Sequence, residues 1–313
     1  QSILMKNPRL EGILPVLPTP FAGSGEVDPE AFRRVAEFCV DAGAGGVVFP
    51  GVASEYDFIT PDEQHALTAI LCEVARDRTP VICGGGKGDP ETIGANIRAA
   101  HELGAIAAMV LIPRQFAEDV DGAVGFMQAV IAAAPGVDII LQNAPAPIGA
   151  GLPSPDVLKV VRACPAIRYV KEEALPSGPR VSALQKEAPD HLDGVIGGGG
   201  ARYVIDEMTR GAIAAMPAAE IADVHVKMWN AFQSGKTGVA RSLYMRTLPL
   251  LVIQTIYRMR LTKYVLTTRG VLENCSVRAP LMEFDDYDLA ELSVQLDSIS
   301  DLLTSTPAKS AVA

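Results

Sequence analysis

The most reactive arrangement in this sequence is Val170-Lys171-Glu172-Glu173, which closes the apolar run beginning at Ile167. An amine at the end of a buried strand is desolvated, which favours its neutral form and frees it for attack on a carbonyl. In a strand, residues two apart share a face, so Lys171 and Glu173 lie on one side and Glu172 on the other. A nucleophilic amine beside a carboxylate suits imine chemistry, which needs an attacking group and a proton carrier. Two other readings have the same spacing: a lysine emerging into solvent, and an ordinary structural Lys–Glu pair.

Two glycine runs invite a phosphate or carboxylate reading. Gly197 to Gly200 permits close backbone approach just before a helical segment, although a flexible turn would look alike. Gly84-Gly85-Gly86-Lys87-Gly88 lacks the spacing and the Lys-Ser/Thr pair of a phosphate-binding loop and reads as a plain loop. His65, His101, His191 and His225 fall on helical stretches without ligand spacing, so no metal site is expected. The five cysteines (39, 72, 83, 164 and 275) are scattered, odd in number and free of any C-x-x-C pair, which suits neither disulfides nor zinc.

The elements that must hold these residues follow a regular rhythm. Apolar runs at 12–17, 46–49, 80–83, 107–112, 137–142, 167–171, 194–196 and 212–216 alternate with amphipathic stretches. Helix starts are marked by Asp28, Thr60, Asp89 and Ser154 as N-caps, several followed by proline. Continuous apolar strands are what a parallel sheet covered on both faces requires. Eight such units without a reversal of pattern predict a (β/α)8 TIM barrel over residues 1–217, with the chemistry at the C-terminal strand ends. No dinucleotide fingerprint follows the first strand, where Thr19-Pro20-Phe21 stands. From 218 to 304 the pattern is helical only, with helices expected at 221–232, 237–257 and 288–303, and residues 305–313 read as a disordered tail.

Composition narrows the function. The 313 residues carry 27 Lys+Arg against 37 Asp+Glu, a formal charge of −10. That balance disfavours nucleic acid or an anionic membrane as partner, while leaving room for a local basic pocket. No apolar stretch approaches the length of about 18 residues that a membrane span needs. The opening Gln1 to Lys6 is too short and polar for a signal peptide, so a cytoplasmic location is expected.

Gly12 to Phe21, the Gly51-to-Glu55 turn, Asn143-Ala144-Pro145, Lys171 and Arg269-Gly270 together resemble the dihydrodipicolinate synthase/N-acetylneuraminate lyase family. The resemblance implies a Schiff base between Lys171 and a small 2-oxo acid, no cofactor beyond that covalent imine, and a homo-oligomer (dimer or tetramer). Departures from the family pattern bear on the substrate. Gln142 replaces a proton-shuttling tyrosine, and an amide is neither a useful acid nor a base. Gly51-Val52-Ala53-Ser54-Glu55 replaces Gly-Thr-Thr-Gly-Glu, leaving backbone N–H groups about Ala53, with Ser54, to hold a carboxylate. Ala146 to Gly149 stands where the synthase has an arginine.

Gln142-Asn143-Ala144-Pro145 with Lys171-x-Glu173 is similar to the branch that dehydrates 2-keto-3-deoxy sugar acids, typified by 2-keto-3-deoxy-L-arabonate dehydratase. Lys171 and Glu173 are the expected catalytic residues, and Gln142, Ala53, Ser54, Gly198 and Gly199 are expected to bind substrate. Ser54 and Tyr56 are further candidates for the proton relay. Retro-aldol cleavage, dihydrodipicolinate synthase-like condensation and a non-catalytic 2-oxo-acid-binding barrel are the alternatives.

Overall fold

The computed structural model describes residues 7–303; the opening segment and the tail expected at 305–313 lie outside them. Eight parallel strands alternate with helices: β1 Gly12–Ile13, β2 Val47–Val48, β3 Val81–Gly84, β4 Ala107–Leu111, β5 Asp138–Asn143, β6 Ile167–Glu172, β7 Gly194–Gly197 and β8 Ala214–Ala215. The sheet runs β1-β8-β7-β6-β5-β4-β3-β2. A parallel bridge between Val16 and Val48 joins its two ends, so the sheet closes into the expected (β/α)8 barrel. The first strand is shorter than its apolar run because Pro15 and Pro18 have no N–H to give to a ladder. The intervening residues still hold register, with the N–H of Leu14 and Val16 donating to Ala215 and Pro217 and that of Leu17 to Val48.

The helices of the barrel are α1 Pro29–Asp41, α2 Pro61–Ala75, α3 Pro90–Leu103, α4 Val120–Ala133, α5 Ser154–Ala163, α6 Ser177–Lys186, α7 Val204–Thr209 and α8 Ala222–Gln233. Asp28, Thr60 and Asp89 cap α1, α2 and α3 as their sequences predict, each side chain accepting a first-turn N–H. Ser154 does not cap: α5 begins one residue earlier, with Pro153 in the extended cap position and no side-chain cap bond. The eighth helix, α8, packs on β1, so a barrel element lies beyond residue 217. Three further helices follow, α9 Thr237–Tyr257, α10 Met259–Thr268 and α11 Asp286–Ser298. α10 lies within the stretch expected to be helical throughout, although no separate helix is marked off there in the sequence pattern. Among the described residues no helix is long and apolar enough to cross a membrane.

Two apolar layers hold the barrel and set the depth of its open end. Outside the strands, Phe32, Leu67, Ile97, Val130, Val161 and Leu184 pack the helices against the sheet. Inside, Leu14, Val48, Ile82, Met109, Ile140, Tyr169 and Ile196 form a plug. The Tyr169 hydroxyl accepts the Leu10 N–H at 3.0 Å, sealing the N-terminal end. Strand alternation then carries β6 upward from Tyr169 through Lys171 to Glu173 on the interior side. The C-terminal helices are tied to the barrel rim by a buried ion pair. Lys263 Nζ lies 2.6 Å from Glu55 Oε2, and the other Glu55 oxygen accepts the N–H groups of Arg278 and Ala279 at 2.8 Å each.

Candidate active site

Above the plug, the C-terminal strand ends enclose a cavity of about 250 Å³. Lys171 stands at its floor and is only 7% exposed, which rules out a lysine emerging into solvent. Its Nζ lies 3.0 Å from Glu173 Oε1, and Gln142 Nε2 donates to the same oxygen at 2.7 Å. Gln142 is directly opposite Lys171 in the β5–β6 register, so adjacent strands bring both side chains over one spot. Burial pushes the Glu173 carboxyl up. The Lys171 charge, hydrogen bonds from Lys171 and Gln142, and the more distant Arg258 charge outweigh it, so the net shift is downward. Glu173 is therefore a carboxylate at neutral pH, able to accept a proton.

On the opposite wall Gly51, Val52 and Ala53 face the cavity from a 3-10 turn at Val52–Ser54. The N–H groups of Val52 and Ala53, first in that turn, have no acceptor among the described residues. A helical turn's opening N–H groups suit an oxyanion. Ser54 does not join them, contrary to its assignment from sequence. Its hydroxyl donates to the Leu17 carbonyl at 2.5 Å and accepts the Gly51 N–H at 3.0 Å, so its one proton is already used and none is left to donate to a ligand carboxylate. Tyr56 lies outside the Lys171 cavity, in a small adjoining cleft beside Gly84 to Gly86, with Lys87 Nζ 5.4 Å from its ring centre. Lys87 itself pairs with Asp57 at the surface, and its glycine-rich segment is a loop.

Gly199 and Gly200 line the cavity, but Gly198 does not. Gly198 instead lies beneath the catalytic carboxylate candidate: a Cβ there would come within 2.2 Å of Glu173 Cγ. Its requirement for glycine is one of space. We expect Gly198→Ala to displace Glu173 and to lower kcat by about tenfold or more, since a displacement near 1 Å at a reacting group has effects of that size. Steady-state kinetics beside a thermal melt test this, and unchanged kcat in a folded variant refutes it.

Glu172 points away from the cavity. Its carboxylate accepts the Ala174 N–H at 2.8 Å and both its oxygens lie 3.1 Å from Asn143 Nδ2. Burial pushes its carboxyl up to about 7, and burial does the same to Glu207, helped by the Asp206 and Glu172 charges. Both groups bind a proton more tightly folded than unfolded, where 4.5 is the ordinary value. The stability they contribute is complete below that value and is lost as pH rises through about 7. Melting temperature should therefore fall between about pH 5 and pH 8, by an amount on the order of a few kcal/mol in stability. Glu207→Gln should flatten the decline; an equally steep one would show that Glu207 does not titrate there.

The roof of the cavity has no marker in the sequence. Arg202 and Tyr203 descend from the β7–α7 connection, and Gln254, Thr255, Arg258 and Met259 come from the α9–α10 junction. Arg258 breaks one helix from the next with φ 51° and ψ −123°, a backbone conformation usually left to glycine. No glycine or proline marks the break, so no breaker residue announced it. Among the described residues no group of three or more His, Cys, Asp or Glu side chains is arranged to hold a metal ion.

Comparison with known proteins agrees with this architecture. The chain is 28% identical over 289 residues to an L-2-keto-3-deoxyarabonate dehydratase of Azospirillum brasilense, covering 91% of this chain and 93% of that one. It is 27% identical over 281 residues to a 4-hydroxy-tetrahydrodipicolinate synthase of Chlorobium chlorochromatii, covering 89% and 93%. The crystal structure of the dihydrodipicolinate synthase of Rhodopseudomonas palustris superposes with a TM-score of 0.83 at 22% identity, over 92% of this chain and 97% of that one. The sequence pattern of the dihydrodipicolinate synthetase family matches residues 9–299. Because that match runs through all eight strand–helix units and on into the C-terminal helices, rather than touching the Lys171 strand alone, the chain belongs to the dihydrodipicolinate synthetase family.

Proposed function

We propose that the protein is a Schiff-base lyase that removes water from a 2-keto-3-deoxy sugar acid. The observation that carries this reading is the contact between Lys171 Nζ and Glu173 Oε1 at 3.0 Å, with Gln142 in place of any acid–base side chain. The substrate carboxylate sits on the Val52 and Ala53 N–H groups, which turns carbon 2 toward Lys171. Lys171 hands its proton to Glu173 and attacks carbon 2; Glu173 returns that proton to the carbinolamine hydroxyl, which leaves as water to give an iminium and restores the carboxylate. The iminium acidifies carbon 3, Glu173 takes that proton, and the resulting enamine expels the carbon-4 hydroxyl as water with the proton returned from Glu173. Hydrolysis of the remaining imine frees Lys171 and the dehydrated 2-oxo acid. The imine is the electron sink, so no cofactor enters the scheme.

The dehydratase among the relatives supports this choice, and the synthases among them favour condensation instead. Gln142 weighs against both condensation and retro-aldol cleavage, since an amide cannot move the hydroxyl proton that carbon–carbon chemistry requires. A panel of 2-keto-3-deoxy acids with mass-resolved products tests the reading. Dehydration yields a product lighter by one water, and cleavage yields pyruvate plus an aldehyde. Pyruvate with aspartate semialdehyde should give no useful condensation; robust condensation would overturn the dehydratase reading.

A further inference from the structure

The walls of the Lys171 cavity carry three cations, Lys171, Arg202 and Arg258, and one anion, Glu173. Lys171 and Glu173 neutralise each other, so two guanidinium charges remain. Five arginines make no side-chain hydrogen bond or ion pair among the described residues. Arg76, Arg114 and Arg241 are exposed arms, whereas Arg202 and Arg258 are half-buried in the cavity wall. In a chain of net charge −10, carboxylates to satisfy them are not scarce. Their isolation is a property of this site.

Both arginines are held from behind. The Arg202 carbonyl accepts the Tyr244 hydroxyl at 2.5 Å, and its N–H donates to Gly199. The guanidinium lies over the glycine turn, where a Cβ at Gly200 would come 3.1 Å from Arg202 Nη1 and 3.4 Å from Gln254 Oε1. Arg258 donates its N–H to the Gln254 carbonyl at 2.7 Å and accepts the Leu261 N–H at 3.1 Å. It thereby ends α9 and begins α10 in a single residue. Its neighbours are pinned as well: the Tyr257 hydroxyl donates to Asp288 at 2.6 Å and Arg260 Nε donates to the Met282 carbonyl at 2.7 Å. A non-glycine residue at such a φ is strained, and here that strained backbone brings a guanidinium to the cavity wall.

We propose that Arg202 and Arg258, with Gln254 beside them, form a second anion subsite, so that the substrate carries a negative group at the end distant from its 2-oxo acid. This rests on the imine reading above, which uses the substrate's first carboxylate at the Val52–Ala53 turn. The substrate class is thus a 2-keto-3-deoxy acid ending in a carboxylate or a phosphate, not in a free hydroxymethyl group. Guanidinium forks match both anions in geometry and charge.

Borohydride trapping of simple 2-oxo acids tests the subsite without any assumption about sugar stereochemistry. Pairs of five, six and seven carbons that end in methyl or in carboxylate are compared: 2-oxopentanoate with 2-oxoglutarate, 2-oxohexanoate with 2-oxoadipate, 2-oxoheptanoate with 2-oxopimelate. At the best-fitting length the diacid should reach half-maximal trapping at a concentration at least about tenfold lower. Arg202→Gln and Arg258→Gln should each shrink that ratio toward one, and Arg258→Lys should keep part of it. A second arm compares turnover of 2-keto-3-deoxygluconate with that of its 6-phosphate and identifies a phosphate-ended substrate. Parity or a neutral preference in every pair, phosphate included, overturns the subsite, whatever the variants do. Pyruvate separates the two levels: no pyruvate adduct defeats the imine reading itself, whereas an adduct without anion preference defeats only the subsite.

Discussion

An arginine in place of Lys171 is expected to reduce turnover to background while the barrel stays folded. A guanidinium remains protonated at any accessible pH and cannot attack a carbonyl, so the covalent step is lost outright. Arginine keeps the positive partner of Glu173, so no buried carboxylate is left unpaired. In the unaltered protein, pyruvate with borohydride should add one reduced pyruvyl group, found on the peptide that contains Lys171. The variant should show no adduct and a native circular-dichroism spectrum. Lys171→Met covers the case in which the larger side chain disturbs the cavity; it should lose the adduct too. Adduct formation elsewhere, or residual turnover in both variants, would sink the imine scheme.

Glu173→Gln should slow turnover by about 10²–10⁴, the range for loss of a general acid–base group, while a pyruvate adduct still forms. Glutamine keeps the shape and the hydrogen bonding near Gln142 but cannot shuttle a proton. Because the net shift holds the Glu173 carboxyl below its ordinary value, the acid limb of kcat/KM should likewise lie below it. The comparison is Glu172→Gln, one residue away and on the other side of the strand. There a glutamine would turn an N–H₂ group toward the Asn143 Nδ2 that now donates to the carboxylate. A buried mismatch of that kind costs about 1–3 kcal/mol, so Glu172→Gln should lower the melting temperature with a far smaller effect on rate. Equal, mild rate effects in the two variants would make the carboxylates of this strand structural and leave the proton carrier unassigned.

The alternation along β6 was legible because its period is a backbone property. Tyr169, Lys171 and Glu173 must share a face wherever the strand is placed, and Glu172 must oppose them. The barrel was legible for a similar reason: eight apolar runs too continuous for a one-sided sheet require cover on both faces. Periodicity decides which side a residue occupies. It says nothing about which distant groups compete for that residue once it arrives. Ser54 looked free in sequence, yet its hydroxyl donates to the Leu17 carbonyl, 37 residues away. Gly198 looked like a cradle, yet the Glu173 side chain fills the space above it. Arg202 and Arg258 carry no local signal at all. Arg202 reaches the cavity from the β7–α7 connection, and Arg258 reaches it only because the C-terminal helices are anchored over the barrel mouth through contacts such as Lys263 with Glu55, 208 residues apart. The amine and its carboxylate were therefore set by local chain geometry, whereas the charge of the cavity roof was set by long-range packing.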